Sequence, residues 1–347
     1  MAELPWILAE VKVVTITDDE DKHTYYKLTP DTVLDAVEAL GLIPNGRLLA
    51  LNSYENRVYQ VGVEDQRPVV AKFYRPGRWT NDAIIEEHRF TQALAEAEIP
   101  VIPPLTFNNT ETTLHEHGGF RYAVYPNCGG RWPELDNLDN LLWIGRFIGR
   151  IHALGKAKDF QHRPRVDIES YGWASLRYLM DSQMVPEEIR EAYRVIAEQV
   201  LQKAETKFRV ASDVQYFRIH ADCHPGNILW TDEGPHFVDF DDARMGPAVQ
   251  DIWMLLAGDR RTMTEQLSEV LEGYTEFCDF NSVELHLLEA LRTLRMIHYS
   301  AWLAKRWDDP SFPQNFPWFN SQRYWEEQIL ALKEQLAIMD EEPLVWH

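Results

Sequence analysis

Apolar residues near the start of the chain follow first a helical and then a strand-like repeat. In TPDTVLDAVEALG the apolar residues from Val33 to Leu40 share one side of a helix, which Thr29 can cap and Gly41 can end. The next stretches, NRVYQVGV and RPVVAKFY, are rich in β-branched and aromatic residues and flank a polar EDQ. That pattern predicts a β-hairpin, and with it the beginning of a sheet.

Helical spacing dominates the rest of the chain. AIIEEHRFTQALAEAEIP carries Ile84, Phe90 and Leu94 at helical spacing, and apolar stripes recur in LDNLLWIGRFIGRI, VELHLLEALRTLRMIHYSAWLAKRW and RYWEEQILALKEQLAIM. A short sheet followed by helices predicts an α+β chain with a small N-terminal lobe at residues 1–125 and a larger, mostly helical lobe at residues 126–347. The boundary falls within the Gly/Pro-rich YPNCGGRWPE, and a cleft is expected between the lobes.

The charge balance limits the classes of partner. Lys and Arg number 34 against 55 Asp and Glu, and the formal charge of -21 disfavours binding to nucleic-acid phosphates or anionic membranes. No run of about 18 apolar residues occurs, and MAELPWILAEVKVV lacks the pattern of a signal peptide. The three cysteines are too scattered for a disulfide framework or a thiolate zinc site. We therefore expect a cytoplasmic monomer without nucleic-acid or membrane partners.

The stretch RIHADCHPGNILW concentrates chemically useful side chains. His220, Asp222 and His224 alternate, and in a strand they would point the same way, as a zinc or iron site requires. Pro-Gly breaks any strand directly afterwards, so this metal-hydrolase hypothesis remains a minor alternative. A nucleophile pair of Cys223 with His224 is weaker still, because neighbouring side chains generally point apart.

A third interpretation rests on the spacing of three polar residues along the sequence. Asp222 precedes Asn227 in the pattern D-x-x-x-x-N, and an apolar FV then leads to Asp239, which are the spacings of a kinase catalytic loop and its metal-binding aspartate. In that arrangement Asp222 accepts the proton of an attacking hydroxyl, and Asn227 and Asp239 bind magnesium. Carboxylates crowded in a cleft repel one another at neutral pH, and divalent cations remove that cost.

Residues earlier in the chain complete the set of expected kinase-site residues. Lys72 alternates with apolar residues in VVAKFY, which can direct its ammonium towards nucleotide phosphates. Glu87 on the following helix is the natural ion-pair partner of Lys72, with Glu86 as a competitor. The stretch NSYENRVYQV stands where a kinase has its glycine-rich loop but contains no glycine, so Ser53, Asn56 and backbone N–H groups would have to bind the phosphates.

These linked residues resemble the protein-kinase-like superfamily, in the branch of aminoglycoside phosphotransferases and choline kinases. HADCHPGN is similar to the H-G-D-x-H-x-x-N of that branch, with Ala221 where glycine is usual. LNSYENRVYQV, VVAKFYRPGRW, FVDFDDARMGPAVQDIWMLLAGD and AWLAKRWDDPSFPQNFPWF further resemble the bacterial stress-response kinases of the branch. The resemblance implies a bilobed kinase fold. Its expected site residues are Asp222 and Asp239 for catalysis, Asn227 and Asp239 for magnesium, and Ser53, Lys72, Glu87, Tyr125 and Cys128 for ATP.

The expected function is that of a Ser/Thr protein kinase that uses ATP and Mg²⁺ in a stress response and acts on protein hydroxyls, its own included. A phosphotransferase acting on small alcohols is the first alternative, because an acidic cleft would suit a cationic acceptor. A noncatalytic nucleotide-binding scaffold is the second, although Lys72, Asp222, Asn227 and Asp239 are all present. Asp251 in VQDIWMLLAG resembles the aspartate that braces a kinase catalytic loop and is assigned a structural role.

Overall fold

The computed structural model describes residues 25–108 and 110–346. The N-terminal stretch on which the signal-peptide expectation rests lies outside these residues. The described chain divides into two compact units. The first contains the residues up to Pro133 and also Gly226–Asp241, and the second contains Glu134–Pro225 and the residues from Asp242 onward. The boundary predicted at residues 125 and 126 stays a prediction.

The first unit is built on an antiparallel sheet. Among its described residues, five strands pair in the order β1-β2-β3-β5-β4. They are β1 (Pro44–Leu51), β2 (Arg57–Val63), β3 (Val69–Phe73), β4 (His115–His117) and β5 (Phe120–Pro126). Helix α1 (Pro30–Glu38) precedes β1, and α2 (Asn81–Glu96) connects β3 to β4. A separate antiparallel hairpin, β7 (Ile228–Thr231) and β8 (Gly234–Phe237), completes the unit.

The core of the first unit lies between α1 and the sheet. Thr29 caps α1 by accepting the Thr32 N–H at 3.2 Å, and Val33 and Val37 are fully buried. They join Val61 and other apolar sheet residues in one cluster. Each such side chain contributes about 1.5–3 kcal/mol when removed from water. This burial holds the sheet that carries Lys72.

The second unit is mainly helical. Its helices are α3 (Leu138–Gly155), α4 (Ala174–Asp181), α5 (Glu187–Val210), α6 (Val249–Ile252), α7 (Arg260–Thr275), α8 (Leu288–Lys305), α9 (Ser311–Asn315) and α10 (Gln322–Ile338). A short antiparallel pair, β6 (Phe217–Ile219) and β9 (Arg244–Gly246), lies among them in the chain. β6 ends directly before the stretch that contains Asp222, so the strand fixes where that stretch begins.

Glycines allow α3 and α7 to approach closely. A Cβ atom added at Gly145 would lie 2.1 Å from the Val270 carbonyl oxygen, and one at Gly149 would lie 2.5 Å from that of Tyr274. Only glycine therefore permits this separation of the two helices. The close packing fixes the C-terminal half of α3, which carries the buried His152.

The α+β arrangement predicted from the sequence is confirmed, and so are the first helix, the hairpin of β2 and β3, and the later helical stripes. The pattern gives no indication of β1, in which PNGRLLAL is mostly exposed and pairs irregularly with β2 between Pro44 and Leu48. Among the described helices, none combines the length and apolar character that a membrane-crossing helix requires.

Candidate active site

The stretch around Asp222 begins with a strained residue. Ala221 has φ +69°, a left-handed conformation that costs an L-residue about 1–2 kcal/mol and that glycine adopts freely. Asp222 follows it and is partly exposed, with its backbone N–H donating to His220 Nδ1 at 3.3 Å. Ala221, which stands where the motif that this stretch resembles has glycine, therefore keeps a glycine-like backbone.

Asp251 on α6 holds this backbone in place. Its buried carboxylate accepts the His220 N–H at 2.8 Å and the Ala221 N–H at 2.7 Å. The same carboxylate lies 3.0 Å from Nε2 of His152 on α3. Gln250 adds a hydrogen bond from Nε2 to the Ala221 carbonyl oxygen at 3.0 Å. These contacts bear out the structural role predicted for Asp251.

Arg295 on α8 binds the carboxylate of Asp222. Its Nη1 donates to Asp222 Oδ1 at 2.6 Å, and Nε2 of His224 lies 3.7 Å from Oδ2. Burial raises the pKa of Asp222, but Arg295 and, more weakly, His224 outweigh burial and keep that pKa below its usual value. Asp222 is therefore ionised at neutral pH and can accept a proton.

A second ion pair lies close to the first. Arg244 donates to Asp242 Oδ1 at 2.6 Å, and its guanidinium lies 5.0 Å from the centroid of the Tyr171 ring. Burial raises the pKa of Tyr171 to about 12, a shift to which both Asp242 and Asp222 contribute. Each of the two aspartates thus has an arginine partner, so the surroundings of Asp222 are close to neutral in spite of the charge of the whole chain.

Asn227 and Asp239 lie at the same end of the β7–β8 hairpin. The hairpin pairs Ile228 with Phe237, and the Val238 N–H continues the pairing by donating to the Asn227 carbonyl oxygen at 3.0 Å. Asp239 then adopts φ +59°, which aspartate tolerates better than most residues. Its side chain is 51% exposed and Asn227 is partly exposed. The hairpin therefore brings the two predicted magnesium ligands to one place.

Lys72 reaches the same region from β3. Its Nζ lies 2.7 Å from Asp239 Oδ1 and 3.6 Å from Asp241 Oδ1. Burial lowers the pKa of Lys72, but Asp239 and Asp241, with Tyr125 and Glu87 at lower weight, raise it well above its usual value. The ammonium is therefore charged at neutral pH.

The other predicted residues of the nucleotide site fall around Lys72. Glu87 is buried on α2 and Glu86 is only partly so, which favours Glu87 as the residue whose carboxylate acts on Lys72. The Tyr125 hydroxyl lies 2.8 Å from the Tyr74 hydroxyl, which in turn lies 2.7 Å from His88 Nε2. This buried polar chain links β3, α2 and β5 beside the lysine.

Ser53 lies in the loop between β1 and β2, and Cys128 lies in the segment that follows β5. Both are partly exposed. Asn56 is buried, and its Oδ1 accepts the Arg75 N–H at 3.1 Å, so its amide stabilises the loop. The phosphate-binding role expected of Asn56 is not supported, because its side chain is buried in the loop's own hydrogen bonding, and the role expected of Ser53 stays a prediction.

The other interpretations of RIHADCHPGNILW find little support. Within residues 25–108 and 110–346 there is no cluster of three or more His, Cys, Asp and Glu side chains arranged to bind a metal ion. His220 is buried and belongs to the loop itself. Cys223 is 1% exposed, and burial together with Asp251 and Asp222 raises the pKa of its thiol well above the usual value. A protonated, buried thiol is a poor nucleophile.

Two arginines of the site were not found from the sequence. Arg295 is separated by 73 residues from Asp222, and Arg78 by 163 residues from Asp241, to which it donates a hydrogen bond. The only sequence signal was that each lies in a stretch containing several basic residues. Pairing over such distances depends on the fold.

Residues 47–288 match the model of the phosphotransferase enzyme family, and this segment contains Lys72, Asp222, Asn227 and Asp239. The chain is 44% identical over 321 residues to Stress response kinase A of Escherichia coli (strain K12), covering 92% of this chain and 96% of the relative. It is 43% identical over 326 residues to Serine/threonine protein kinase RdoA of Salmonella typhimurium (strain LT2), covering 94% and 98%. The resemblance predicted from the motifs is confirmed.

Solved structures of low identity share the fold. One is an amicoumacin kinase in complex with AMP-PNP, Ca²⁺ and Ami, with a TM-score of 0.67 and 18% identity over 89% of this chain and 93% of the other. Another is a microcompartment-associated aminopropanol kinase, with a TM-score of 0.62 and 18% identity over 85% and 91%. They confirm the predicted kinase-like α+β fold.

Proposed function

Since this chain belongs to the phosphotransferase enzyme family, we propose that it is a Ser/Thr protein kinase that transfers the γ-phosphate of ATP to protein hydroxyls. The observation that carries the proposal is the Lys72–Asp239 contact of 2.7 Å, which joins the phosphate-positioning group to the metal-binding group. The acceptor class rests on the relatives, which are named as a stress response kinase and a serine/threonine protein kinase. The acceptor is another protein or the chain itself, and the enzyme acts as a monomer.

The residues fit a nucleotide and Mg²⁺. Asn227 and Asp239 offer amide and carboxylate oxygens at one end of the hairpin, and Mg²⁺ prefers such ligands. When bound, the ion neutralises charge that develops on the transferred phosphoryl group. Lys72 would bind the α- and β-phosphates, Ser53 would contribute to the loop over them, and the backbone from Tyr125 to Cys128 would bind adenine.

Asp222 would act as the general base. The acceptor hydroxyl oxygen attacks the γ-phosphorus, the bond from that phosphorus to the ADP oxygen breaks, and the hydroxyl proton passes to Asp222. Arg295 donates to Asp222 Oδ1 and so holds the carboxylate in place for this transfer. Asp251 keeps the backbone of the loop in position during the reaction.

A small-molecule alcohol is the rival acceptor, because the structural relatives include kinases named for amicoumacin and aminopropanol. The charges around Asp222 argue against a cationic alcohol, since Arg295 and Arg244 compensate Asp222 and Asp242. A carboxylate that already has an arginine partner attracts an amine less than one without such a partner.

The acceptor class can be tested with magnesium ATP labelled at the γ-phosphate. The protein is incubated alone, with a generic basic protein, and with a panel of amino alcohols and neutral diols, and ATP consumption and label transfer are followed together. The proposal predicts label in phosphoserine or phosphothreonine and little stimulation by small alcohols. Stimulation by an alcohol with unlabelled protein would assign the enzyme to small molecules instead.

A further inference from the structure

Arg78 occupies a fixed position in the turn between β3 and α2. Gly77 before it has φ +78°, and the Arg78 guanidinium lies 5.2 Å from the centroid of the Trp79 ring. Arg121 holds the turn by donating from Nη1 to the Trp79 carbonyl oxygen at 2.8 Å. The side chain of Arg78 is 13% exposed, so its direction is set by its surroundings.

Asp241 places Arg78 beside Lys72. Arg78 donates from Nη1 to Asp241 Oδ2, while Oδ1 of the same carboxylate lies 3.6 Å from Lys72 Nζ. Asp241 is 4% exposed and sits in a turn whose Phe240 ring packs edge-to-face on Phe90 of α2, at 5.9 Å between centroids. One buried carboxylate thus holds an ammonium and a guanidinium next to each other.

Glu55 connects Arg78 to the loop between β1 and β2. Its Oε1 lies 3.1 Å from Arg75 Nε and 3.8 Å from Arg78 Nε. Arg75 also donates to the Glu55 carbonyl oxygen at 3.0 Å and to that of Tyr54 at 3.3 Å. The loop that contains Ser53 is therefore attached to the turn that contains Arg78. A loop without glycine cannot follow phosphates as closely as a glycine-rich one.

We propose that Arg78 is a further nucleotide-phosphate ligand, which with Lys72 supplies the contacts that a glycine-rich loop makes in other kinases. This assignment rests on the proposed use of ATP. A guanidinium matches phosphate oxygens with two parallel N–H groups, and such charge-assisted bonds are about twice as strong as neutral ones. Asp241 positions the guanidinium before the nucleotide arrives, which lowers the cost of ordering it.

The competing explanation is that Arg78 only fastens the loop to the turn. A structural role acts through the loop, so Arg75→Met, which removes other hydrogen bonds between the same turn and that loop, should reproduce it. A direct phosphate ligand has a larger effect than such a loop variant, and its effect is confined to nucleotides that carry the β- and γ-phosphates that AMP lacks. The loss of ATP affinity relative to AMP affinity, compared between Arg78→Met and Arg75→Met, therefore separates the two explanations.

The test is calorimetric titration of magnesium ATP and of AMP into the full chain. Arg78→Met should weaken ATP binding by about tenfold or more and leave AMP binding within about twofold. Arg78→Lys keeps the positive charge but loses the two parallel N–H donors. It should weaken ATP binding by about threefold and leave AMP affinity unchanged. Arg47→Met, an exposed arginine on β1, is the matched control and should change neither affinity.

Unchanged ATP affinity in Arg78→Met, an equal loss for ATP and AMP, or an equally large selective loss in Arg75→Met would overturn the assignment. If Arg78→Met does not fold, Arg78→Lys decides alone, and an ATP affinity equal to that of the wild type contradicts the proposal. A wild-type protein that binds no nucleotide would contradict both this assignment and the proposed function. If Arg78→Met selectively weakens ATP binding but the wild type labels no protein acceptor, the assignment of Arg78 stands. Only the proposed protein acceptor is then contradicted.

Discussion

The region of the first unit proposed to bind nucleotide and the loop around Asp222 in the second unit are stabilised in different ways. In the first unit, charged side chains contact one another, as Lys72 does with Asp239 and Arg78 with Asp241. In the second, the Asp251 carboxylate binds two backbone N–H groups of the loop. Ion pairs with an exposed member can exchange partners, whereas a buried carboxylate bound to backbone cannot.

The difference indicates that the two regions have separate roles. Lys72 and Asp239 contact each other, and Asp239 is half exposed, so their ion pair is suited to rearrange if they bind phosphate and metal as proposed. The loop of Asp222 is formed in advance, and reaction requires no new backbone arrangement there. Changes in the first region should therefore alter nucleotide binding together with transfer, and changes in the second should alter transfer alone.

The largest effect that separates the two regions is expected from Lys72→Met. Loss of the ammonium removes the proposed phosphate contact and leaves Asp239 and Asp241 without one of their cations. We expect transfer to fall by about 100- to 1,000-fold and ATP affinity to fall with it. Titration and steady-state kinetics measure the two quantities. Lys27→Met, at an exposed lysine of the same unit, should change neither, and unimpaired ATP binding in Lys72→Met would contradict the account.

Asp251→Asn should have the contrasting effect, because it should slow transfer without changing ATP affinity. The amide has one acceptor oxygen, so it cannot serve the His220 and Ala221 N–H groups on separate oxygens while contacting His152. We expect a loss of about 2–4 kcal/mol in the free energy of unfolding and slower transfer, with ATP affinity unchanged.

Denaturant unfolding measures the stability of Asp251→Asn. Asp259→Asn is the matched control, because Asp259 caps the exposed start of α7 and asparagine caps equally well. A fall in ATP affinity as large as the fall in transfer would show that the two regions do not differ in the way described.

A smaller effect, on stability, is expected from substitution of Glu284. Its Oε2 accepts the Val249 N–H at 2.8 Å at the start of α6. Burial raises the pKa of Glu284 to about 7, against a weaker opposing effect of the backbone hydrogen bonds and Lys156. Between about pH 4.5 and 7 the folded state then holds a proton that the unfolded state has released. The contribution of this group to stability is therefore greatest at low pH and decreases as the pH rises towards 7.

Glu284→Gln should remove that dependence and raise the free energy of unfolding at pH 8 relative to the wild type by about 1–3 kcal/mol. Unfolding curves of both proteins at several pH values between 5 and 8 measure it. Parallel pH profiles for the two proteins would show that Glu284 has an ordinary pKa. The substitution should leave ATP affinity unchanged.

Local sequence signals predicted much of this arrangement. Thr29 followed by proline predicted the start of α1, alternation predicted the strand of Lys72, and the spacing of Asp222, Asn227 and Asp239 pointed to their roles. The edge strand β1 and the partners Arg78 and Arg295 were missed, because contacts across long separations in the sequence create them. Patterns within a few residues carry no information on such contacts.

Transfer of labelled γ-phosphate from magnesium ATP to protein, compared between the wild type and Asp222→Asn, tests whether Asp222 is the base of a protein kinase. Asp213→Asn, at an exposed aspartate of the second unit, is the control. We expect Asp222→Asn to slow labelling of serine and threonine by about 100- to 10,000-fold, with ATP affinity close to that of the wild type. Equal labelling by Asp222→Asn and the wild type would contradict the assignment of Asp222 as the base.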